Sequence, residues 1–289
     1  MRSVLWHPLI SPHNPSPPTP PPLPLPLTSP TFLLPLSPQK ASPAFWAAAR
    51  GSLEGLEILN ASGVDLAASC DDQSNTPAFW CLHSGGTDSL KLLYDYGVDM
   101  NAPCDTKGSS PACCAVCWDK VDGLEALFGH CNIDMAAPCD SDGNTPARWA
   151  AFMGKPECLR TLHEACGVDL SGRCDGAGQT PAFWAIRGSN DDCLQIMAVE
   201  CGVDMSKPCD GGYGGDGGEG AVAAEGGTPA YYAATRGELK CLRTLIEVCG
   251  VKADAKCNNA GLTLLEVAEA AFEQECVAYL RPLLAEAGE

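Results

Sequence analysis

Cysteine and histidine side chains are the residues of this chain whose types could support metal binding or redox chemistry. The chain has 18 cysteines and five histidines among 289 residues. Between residues 113 and 131, Cys113, Cys114 and Cys117 precede His130 and Cys131. Thiolates and imidazoles are the ligands that zinc prefers. A zinc or redox site formed by Cys114, Cys117, His130 and Cys131 is therefore an alternative function for this segment.

The spacing of these residues weakens the metal alternative. Residues one, three and four apart on a helix do not all converge, and no second C-x-x-C pair completes a zinc signature. Motifs of catalysis are also missing, because the chain has no G-x-S-x-G, Walker lysine or H-E-x-x-H sequence. The G-x-G-x-x-G at Gly212, Gly214 and Gly217 lacks a lysine and lies in a glycine-rich stretch. We expect neither enzymatic activity nor a cofactor.

The charge of the chain limits its partners. It has 36 acidic and 18 basic residues, a formal net charge of -18. This balance repels phosphate backbones and anionic lipids, so we expect neither nucleic acid nor membrane as a partner. No stretch approaches the ~20 apolar residues of a transmembrane helix. Many cysteines without an export signal indicate a reducing compartment, and we expect an intracellular protein, cytoplasmic or nuclear.

Residues 1–40 form a segment rich in proline, leucine, serine and threonine, without any acidic residue. Proline fixes φ and removes a hydrogen-bond donor, so the segment is predicted to be disordered and to sample extended polyproline II. It cannot form a core. Three interpretations stay open for this head: a linker, an organelle transit peptide, or a PxxP ligand for an aromatic groove.

The rest of the chain, residues 41–289, repeats one phrase of the type Thr-Pro-Ala-Phe-Trp. Its first residue, called the anchor here, is Ser or Thr and recurs at positions 42, 76, 110, 145, 180, 228 and 263. The steps are 34 or 35 residues, except one of 48 that contains a glycine-rich insertion, residues 211–227. We therefore predict about seven repeats.

Each anchor is predicted to begin a helix. Ser or Thr accepts a bond from a free amide at the N-cap, and proline is favoured at the first helical position. A second helix is indicated by apolar residues fourteen and seventeen positions past the anchor, such as Leu159 and Leu162. Helices of about ten residues are not stable alone in water, so the repeats must stack into a solenoid.

Most cysteines follow the same period. One set lies six residues before an anchor, at Cys70, Cys104, Cys139, Cys174 and Cys257, with Cys209 equivalent once the insertion is removed. Equivalent positions in stacked helices are ~8 to 10 Å apart, which is too far for a disulfide between Cα atoms. We interpret these cysteines as small buried apolar residues.

The repeat resembles the ankyrin repeat. Asp140-Ser-Asp-Gly143-Asn-Thr145-Pro146 is similar to the D-x-x-G-x-T-P turn of that family, and the segment from Gly167 to Leu170 is similar to its G-A-D-V. The resemblance implies an all-α solenoid of helix-turn-helix repeats, with short β-turn or hairpin arms and a concave binding face. It also implies a non-catalytic interaction module or scaffold for an unidentified protein partner, which we expect to be monomeric. The last unit, from Leu262 to Glu289, looks like a polar C-terminal cap.

Candidate partner-binding residues lie seven and eight positions past the anchors, where the family's helices emerge onto the concave side. In repeats three and four these residues are Cys117, Trp118, Phe152 and Met153, and His83 holds the first of these positions in repeat two. An exposed apolar patch of this kind is typical of an interface. The alternative is that Trp118 and Phe152 belong to the core.

Overall fold

The computed structural model describes residues 41–209 and 226–286. The head and most of the insertion lie outside these residues, so the interpretations given for them stay predictions. The described residues contain fourteen α-helices in seven pairs. They are α1 Pro43–Ala49, α2 Leu53–Ala61, α3 Pro77–Ser84, α4 Thr87–Asp95, α5 Pro111–Cys117, α6 Val121–Gly129, α7 Pro146–Phe152, α8 Pro156–Glu164, α9 Pro181–Arg187, α10 Asp191–Val199, α11 Pro229–Thr235, α12 Leu239–Arg243, α13 Leu264–Ala270 and α14 Gln274–Glu286.

The anchors are the N-caps of the first helices, as predicted. All seven have extended backbone at this position, and six are followed directly by proline. The Thr145 hydroxyl accepts a bond from the Arg148 amide at 3.4 Å and donates to the Cys174 carbonyl at 3.1 Å. The Thr180 hydroxyl donates to the Cys209 carbonyl at 3.3 Å. These hydroxyls therefore join the start of a helix to the following arm.

The helices form two layers. First helices pack against first helices of adjacent repeats, second helices stack in the same way through most of the chain, and the two helices of each repeat pack together. The residue five past each anchor is small and buried: Ala47, Cys81, Ala115, Ala150, Ala185, Ala233 and Ala268. This small residue allows the first helices to approach closely, so the solenoid predicted from the sequence is confirmed.

The arms are turns tied together by backbone hydrogen bonds rather than strands. In the described residues the β-type pairing is an isolated antiparallel bridge between Lys256 and Thr263. The Cys139 amide donates to the Asn144 carbonyl at 2.7 Å, and the Cys139 carbonyl accepts from the Ser110 amide at 2.8 Å. The same pair of bonds recurs at all five cysteines six residues before an anchor and at Cys209, which precedes the insertion: Cys70, Cys104, Cys139, Cys174, Cys257 and Cys209. Each of these cysteines thus closes its own arm and fixes it to the preceding anchor.

The cysteine side chains belong to the interior. Fifteen of the 18 thiols are buried and three are half-buried, and all are free. Burial raises the pKa of Cys70 and of Cys81 to about 12. Since the thiolate is the nucleophile and the metal ligand, such thiols are protonated and unreactive at neutral pH. The structure agrees with the interpretation of the cysteines as small apolar residues.

The second helix of repeat six departs from the regular pattern. After α12 the chain continues as a π-helical turn, Thr244–Val248, in which Leu245 stays fully buried. The periodicity of the sequence gives no sign of this turn, because the apolar positions keep their spacing. No helix among the described residues has both the length and the apolar character needed to cross a membrane.

Candidate functional site

A row of tryptophans follows the first helices. It consists of residues four past the anchor, all half-buried: Trp46, Trp80, Trp149 and Trp184. Three indole N–H groups donate to aspartate Oδ2 atoms, Trp80 to Asp71 at 2.7 Å. Trp149 and Trp184 bind Asp140 and Asp175 in the same way, each at 2.6 Å. Part of each of these three rings therefore stays accessible while its polar edge is fixed.

The aspartates that hold the indoles also shape the arms. Asp175 Oδ1 accepts bonds from the Ala177 and Gln179 amides at 3.0 and 2.9 Å. Asp140 Oδ1 accepts from the amides of Asp142 and Asn144, each at 3.0 Å. Each carboxylate therefore orders the arm through Oδ1 and holds a tryptophan indole of the first helix through Oδ2. Hydrogen bonds to a charged acceptor are stronger than those between neutral groups. This link makes the surface rigid.

The rings of repeats two and three form a first group, the front cluster, consisting of Phe79, Trp80, His83 and Trp118. The Trp118 ring lies 4.7 Å from Phe79 and 5.2 Å from His83, measured between ring centroids, and both pairs meet edge to face. Desolvation by the Trp80 and Trp118 rings packed against the imidazole, and the nearby charge of Lys120, lower the pKa of His83. The imidazole is therefore neutral at physiological pH, and the front cluster is an apolar surface with a polar edge.

A second group, the rear cluster, consists of Arg148, Trp149, Phe152, Trp184 and Arg187 in repeats four and five. The Arg148 guanidinium lies between two indoles, 4.1 Å from the Trp149 centroid and 3.9 Å from the Trp184 centroid. Phe152 closes the group at 5.7 Å from Trp184. Stacking on aromatic faces stabilises a cation, so this cluster combines apolar area with positive charge.

The five residues proposed from the sequence lie at these clusters or next to them. Trp118, Phe152, Met153 and Cys117 are half-buried, and His83 is exposed. Trp118 turns back towards repeat two, whereas Phe152 turns forward to repeat five. Among the described residues no ring contact joins Trp118 to Phe152, so the rings divide into two groups. Their role in partner binding stays a prediction.

Sequence reasoning missed Arg148 and Trp184 as members of the surface. A signal for them exists, because an aspartate precedes each indole by nine residues in repeats two, four and five: Asp71, Asp140 and Asp175. A carboxylate five residues before the anchor and an indole four residues after it can meet only if the arm folds back on the helix. The stacking of Arg148 on Trp184 has no such signal, because it joins residues of different repeats.

The zinc alternative receives no support from the geometry. No group of three or more His, Cys, Asp or Glu side chains that could hold a metal ion occurs in the described part of the chain. The Cys114 thiol lies 3.5 Å from the Cys104 thiol, whereas His130 pairs with Asp95 at 2.9 Å. Burial raises the pKa of Cys131 to about 11. Cys114 and His130 therefore have other partners, and the four residues do not form a ligand set.

Comparison with known proteins identifies the repeat. Two family models, both described as ankyrin repeats, match residues 44–138 and 148–198 and together span about half of the chain. No curated protein shows significant sequence similarity to the chain.

Two solved structures show the same fold. One is the ankyrin repeat domain of Bcl-3, described as a unique member of the IkappaB protein family, with a TM-score of 0.63 and 21% identity; the match covers 83% of this chain and 98% of that one. The other is the human ASB11 ankyrin repeat domain, with a TM-score of 0.55 and 21% identity, covering 80% and 96%.

Proposed function

Because the chain belongs to the ankyrin repeat family, we propose that it is a non-catalytic scaffold that binds a protein partner on the surface of its arms and first helices. Ankyrin repeat domains are generally protein–protein interaction modules. The proposal includes a monomeric, intracellular protein whose repeat domain spans residues 41–289 and excludes the head, residues 1–40. Nucleic acid and membranes are not partners in this proposal, because the net charge of -18 opposes both.

One observation carries the proposal, namely the row of partly accessible indoles, three of which are fixed at their polar edges by aspartates. Apolar rings left accessible to water are unfavourably hydrated, and a partner that covers them removes this cost. Aromatic side chains with few free torsions are the residues that most often dominate interfaces. A rigid surface also loses little conformational entropy on binding. The row therefore has the properties of a preformed binding surface.

The front cluster supplies the test. The full-length chain is immobilised on beads and used to capture a partner from a lysate of cells that express the protein. The Kd of the identified partner is then measured. Trp118→Ala should raise that Kd about thirtyfold or more, since truncation at a hot spot costs on the order of 2 kcal/mol. The melting temperature should fall only by about 2 to 4 °C, because the ring is half-buried.

Phe272→Ala is the matched control, since Phe272 is 81% exposed and lies in the helix–helix turn of repeat seven. This variant removes an accessible ring outside the two clusters and should leave the Kd unchanged. If Trp118→Ala lowers the melting temperature while the Kd stays at the wild-type value, Trp118 is a core residue and the front cluster is not the binding surface.

A further inference from the structure

Each second helix has one side that faces the preceding repeat, and the residue thirteen past the anchor lies on it. The Cys158 thiol donates to Oδ1 of Asp119 in the preceding repeat at 3.3 Å. The Cys193 thiol lies 3.9 Å from the Ala150 carbonyl oxygen, again in the preceding repeat. This position is buried in repeats two to seven: Ser89, Gly123, Cys158, Cys193, Cys241 and Cys276. The preceding repeat therefore covers this side of the second helices.

In repeat one the same side of α2 is open, because the chain has the head before it instead of a repeat. Gly55 holds the position thirteen past the anchor and is partly exposed. Leu59, seventeen past the anchor, is half-buried. The equivalents of Leu59 in the other repeats are all fully buried: Leu93, Leu127, Leu162, Met197, Leu245 and Leu280. Two positions of the regular core thus lack part of their cover in repeat one.

The open side is apolar. Ile58 is 59% exposed, and it lies three positions after Gly55 and one before Leu59, so the three residues share one side of the helix. Sixteen past the anchor, the position of Ile58, repeats three and five have Ala126 and Ile196, which are buried. We call Gly55, Ile58 and Leu59 the open face. Its apolar surface is unfavourably hydrated unless another segment covers it.

The head is the segment of the chain next to the open face. Ala41 packs against the core, and the Ser42 amide donates to the Cys70 carbonyl at 2.9 Å. These contacts hold the end of the head beside α1, which packs against α2. Residues 32–36 lie six to ten positions before Ser42, and an extended chain of that length spans roughly 20 to 30 Å. Since axes of packed helices are ~8 to 10 Å apart, residues 32–36 can reach the open face.

Composition and charge select this segment as the occupant. Residues 32–36 have the sequence Phe-Leu-Leu-Pro-Leu, with four large apolar side chains. Glu54 and Glu57 of α2 are exposed, so two copies of the chain that met at this face would bring like charges together. The head has no acidic residue and ends in Lys40. Charge therefore favours the head over a second copy.

We propose that residues 32–36 of the head bind to the open face and cap the first repeat. Tethering favours this contact, because a segment on a short linker has an effective concentration in the millimolar range. Open stacks need their end repeats covered to stay soluble. The contact lies at the end of the stack and does not depend on the partner surface of the arms and first helices.

Hydrogen exchange of α2, measured by mass spectrometry on the full chain, tests this contact. End helices exchange by local opening, so a bound segment slows the exchange of residues 53–61. Leu34→Asp places a charge in the apolar contact and should speed this exchange about fivefold. Leu5→Asp is the matched control, because it adds the same charge to the head outside residues 32–36. Its effect should stay below about twofold, and exchange of α8 should not change in either variant.

A fivefold change corresponds to about 1 kcal/mol, or about 2 °C in the melting temperature of a domain of this size. Both variants lie in the head, so neither removes a core residue of the repeats. Equal exchange of α2 in wild type and in Leu34→Asp would overturn the proposal. Equal effects of Leu34→Asp and Leu5→Asp would do the same, since the charge of the head alone would then act.

Cross-linking identifies the contact itself. With p-benzoyl-L-phenylalanine in place of Leu34, the full chain should form cross-links to residues 53–61 of the same chain, at a yield independent of protein concentration. Ile58→Asp should reduce this yield about fivefold, since it places a charge on the open face. Val199→Asp is the matched control, because Val199 is 60% exposed on α10, a second helix far from repeat one. This control should leave the yield unchanged.

Two cross-linking results would contradict the proposal. Cross-links between two chains that increase with protein concentration would mean that the open face binds a second copy. Cross-links spread over several repeats, with the same yield in wild type and in Ile58→Asp, would mean that residues 32–36 have no defined contact with α2.

Discussion

Repeat three and repeat four share one backbone frame but use it for different chemistry. Four residues past the anchor, repeat three has Cys114, a buried thiol 3.5 Å from that of Cys104. Repeat four has Trp149 at the equivalent position, half-buried and bonded to Asp140. The helix bounds and the arm hydrogen bonds are equivalent in the two repeats. The backbone therefore fixes the position, and a single side chain decides between interior packing and a surface ring.

This difference divides the surface into two regions. The row of indoles is interrupted at Cys114, and the tryptophan of repeat three lies four positions later, at Trp118, where it contacts repeat two. Beyond the interruption, Arg148 replaces the phenylalanine that repeats one, two and five have three past the anchor. The front cluster is consequently apolar and neutral, whereas the rear cluster is apolar and cationic. Two surfaces with different ligand chemistry can thus arise from one repeat.

The largest expected effect tests whether both regions belong to one continuous stack. Deleting Leu262 to Glu289 removes α13 and α14, which pack against α11 and α12, and exposes the buried residues of repeat six. Aggregation and a large fall in melting temperature should follow. Deleting residues 1–38 should leave the melting temperature nearly unchanged. Light scattering measures aggregation, and thermal denaturation measures the melting temperature. If the repeat domain unfolds once the head is removed, the boundary at residue 40 is wrong.

The second effect compares tryptophans of the two clusters. Trp184→Ala removes the bond to Asp175 and the faces on which two arginines stack. It should lower the free energy of unfolding by about 3 kcal/mol, at the lower end of aromatic truncations. Trp118→Ala should cost about 1 kcal/mol, since the contacts of this ring are with the half-buried Phe79 and the exposed His83. Urea denaturation of both variants gives the difference, and equal losses would mean that the indole–aspartate bond adds nothing.

A smaller effect isolates the carboxylates. Asp175→Ala removes the acceptor for the Trp184 indole as well as for two backbone amides. Asp105→Ala removes only the acceptor for the Lys107 and Ser109 amides. The first variant should be less stable than the second by about 2 kcal/mol, the value of a hydrogen bond to a charged group. Urea denaturation again measures the difference. Identical midpoints for the two variants would show that the aspartate stabilises the protein only through the backbone amides of the arm, and not through the indole.

The smallest effect concerns alkaline pH. A hydrogen bond with Cys104 and burial hold the pKa of Cys114 well above its ordinary value of 9.0. The unfolded chain releases this proton near pH 9 but the folded chain does not, so the stability that depends on Cys114 is full below pH 9 and is lost as the pH rises. Between pH 9 and pH 10, Cys114→Ala should lose about 1 kcal/mol less stability than wild type.

The measurement for this prediction is urea denaturation in the presence of a reductant, at pH 8, 9 and 10. The difference between wild type and Cys114→Ala at pH 8 gives the packing contribution of the thiol and serves as the reference. If both chains lose stability in parallel above pH 9, the Cys114 thiol ionises as readily in the folded state as in the unfolded chain.

The helices and their order were predictable because each repeat encodes them locally. An N-cap hydroxyl, a proline and a glycine or asparagine after the second helix act within a few residues. After α6 this residue is Asn132, which takes a left-handed conformation. Each of these signals is weak alone, but their recurrence every 34 or 35 residues makes the prediction of the helix pairs specific. The π-helical turn of repeat six could not be predicted, since it changes the hydrogen bonding without changing the apolar spacing.

The sequence by itself determined the repeat, the helix pairs, the buried faces and the interior place of the cysteines, because these depend on residues close together in the chain. Only the tertiary structure decided that Trp118 turns towards repeat two, that aspartates hold the indoles, and that Arg148, Arg187 and Arg236 come together. The contacts of Trp118 and of the arginines join different repeats, with successive arginines 39 and 49 positions apart. They depend on how neighbouring repeats stack, and no local pattern specifies that geometry. The aspartate–indole bonds span only nine positions, but they form only because the arm folds back on the helix.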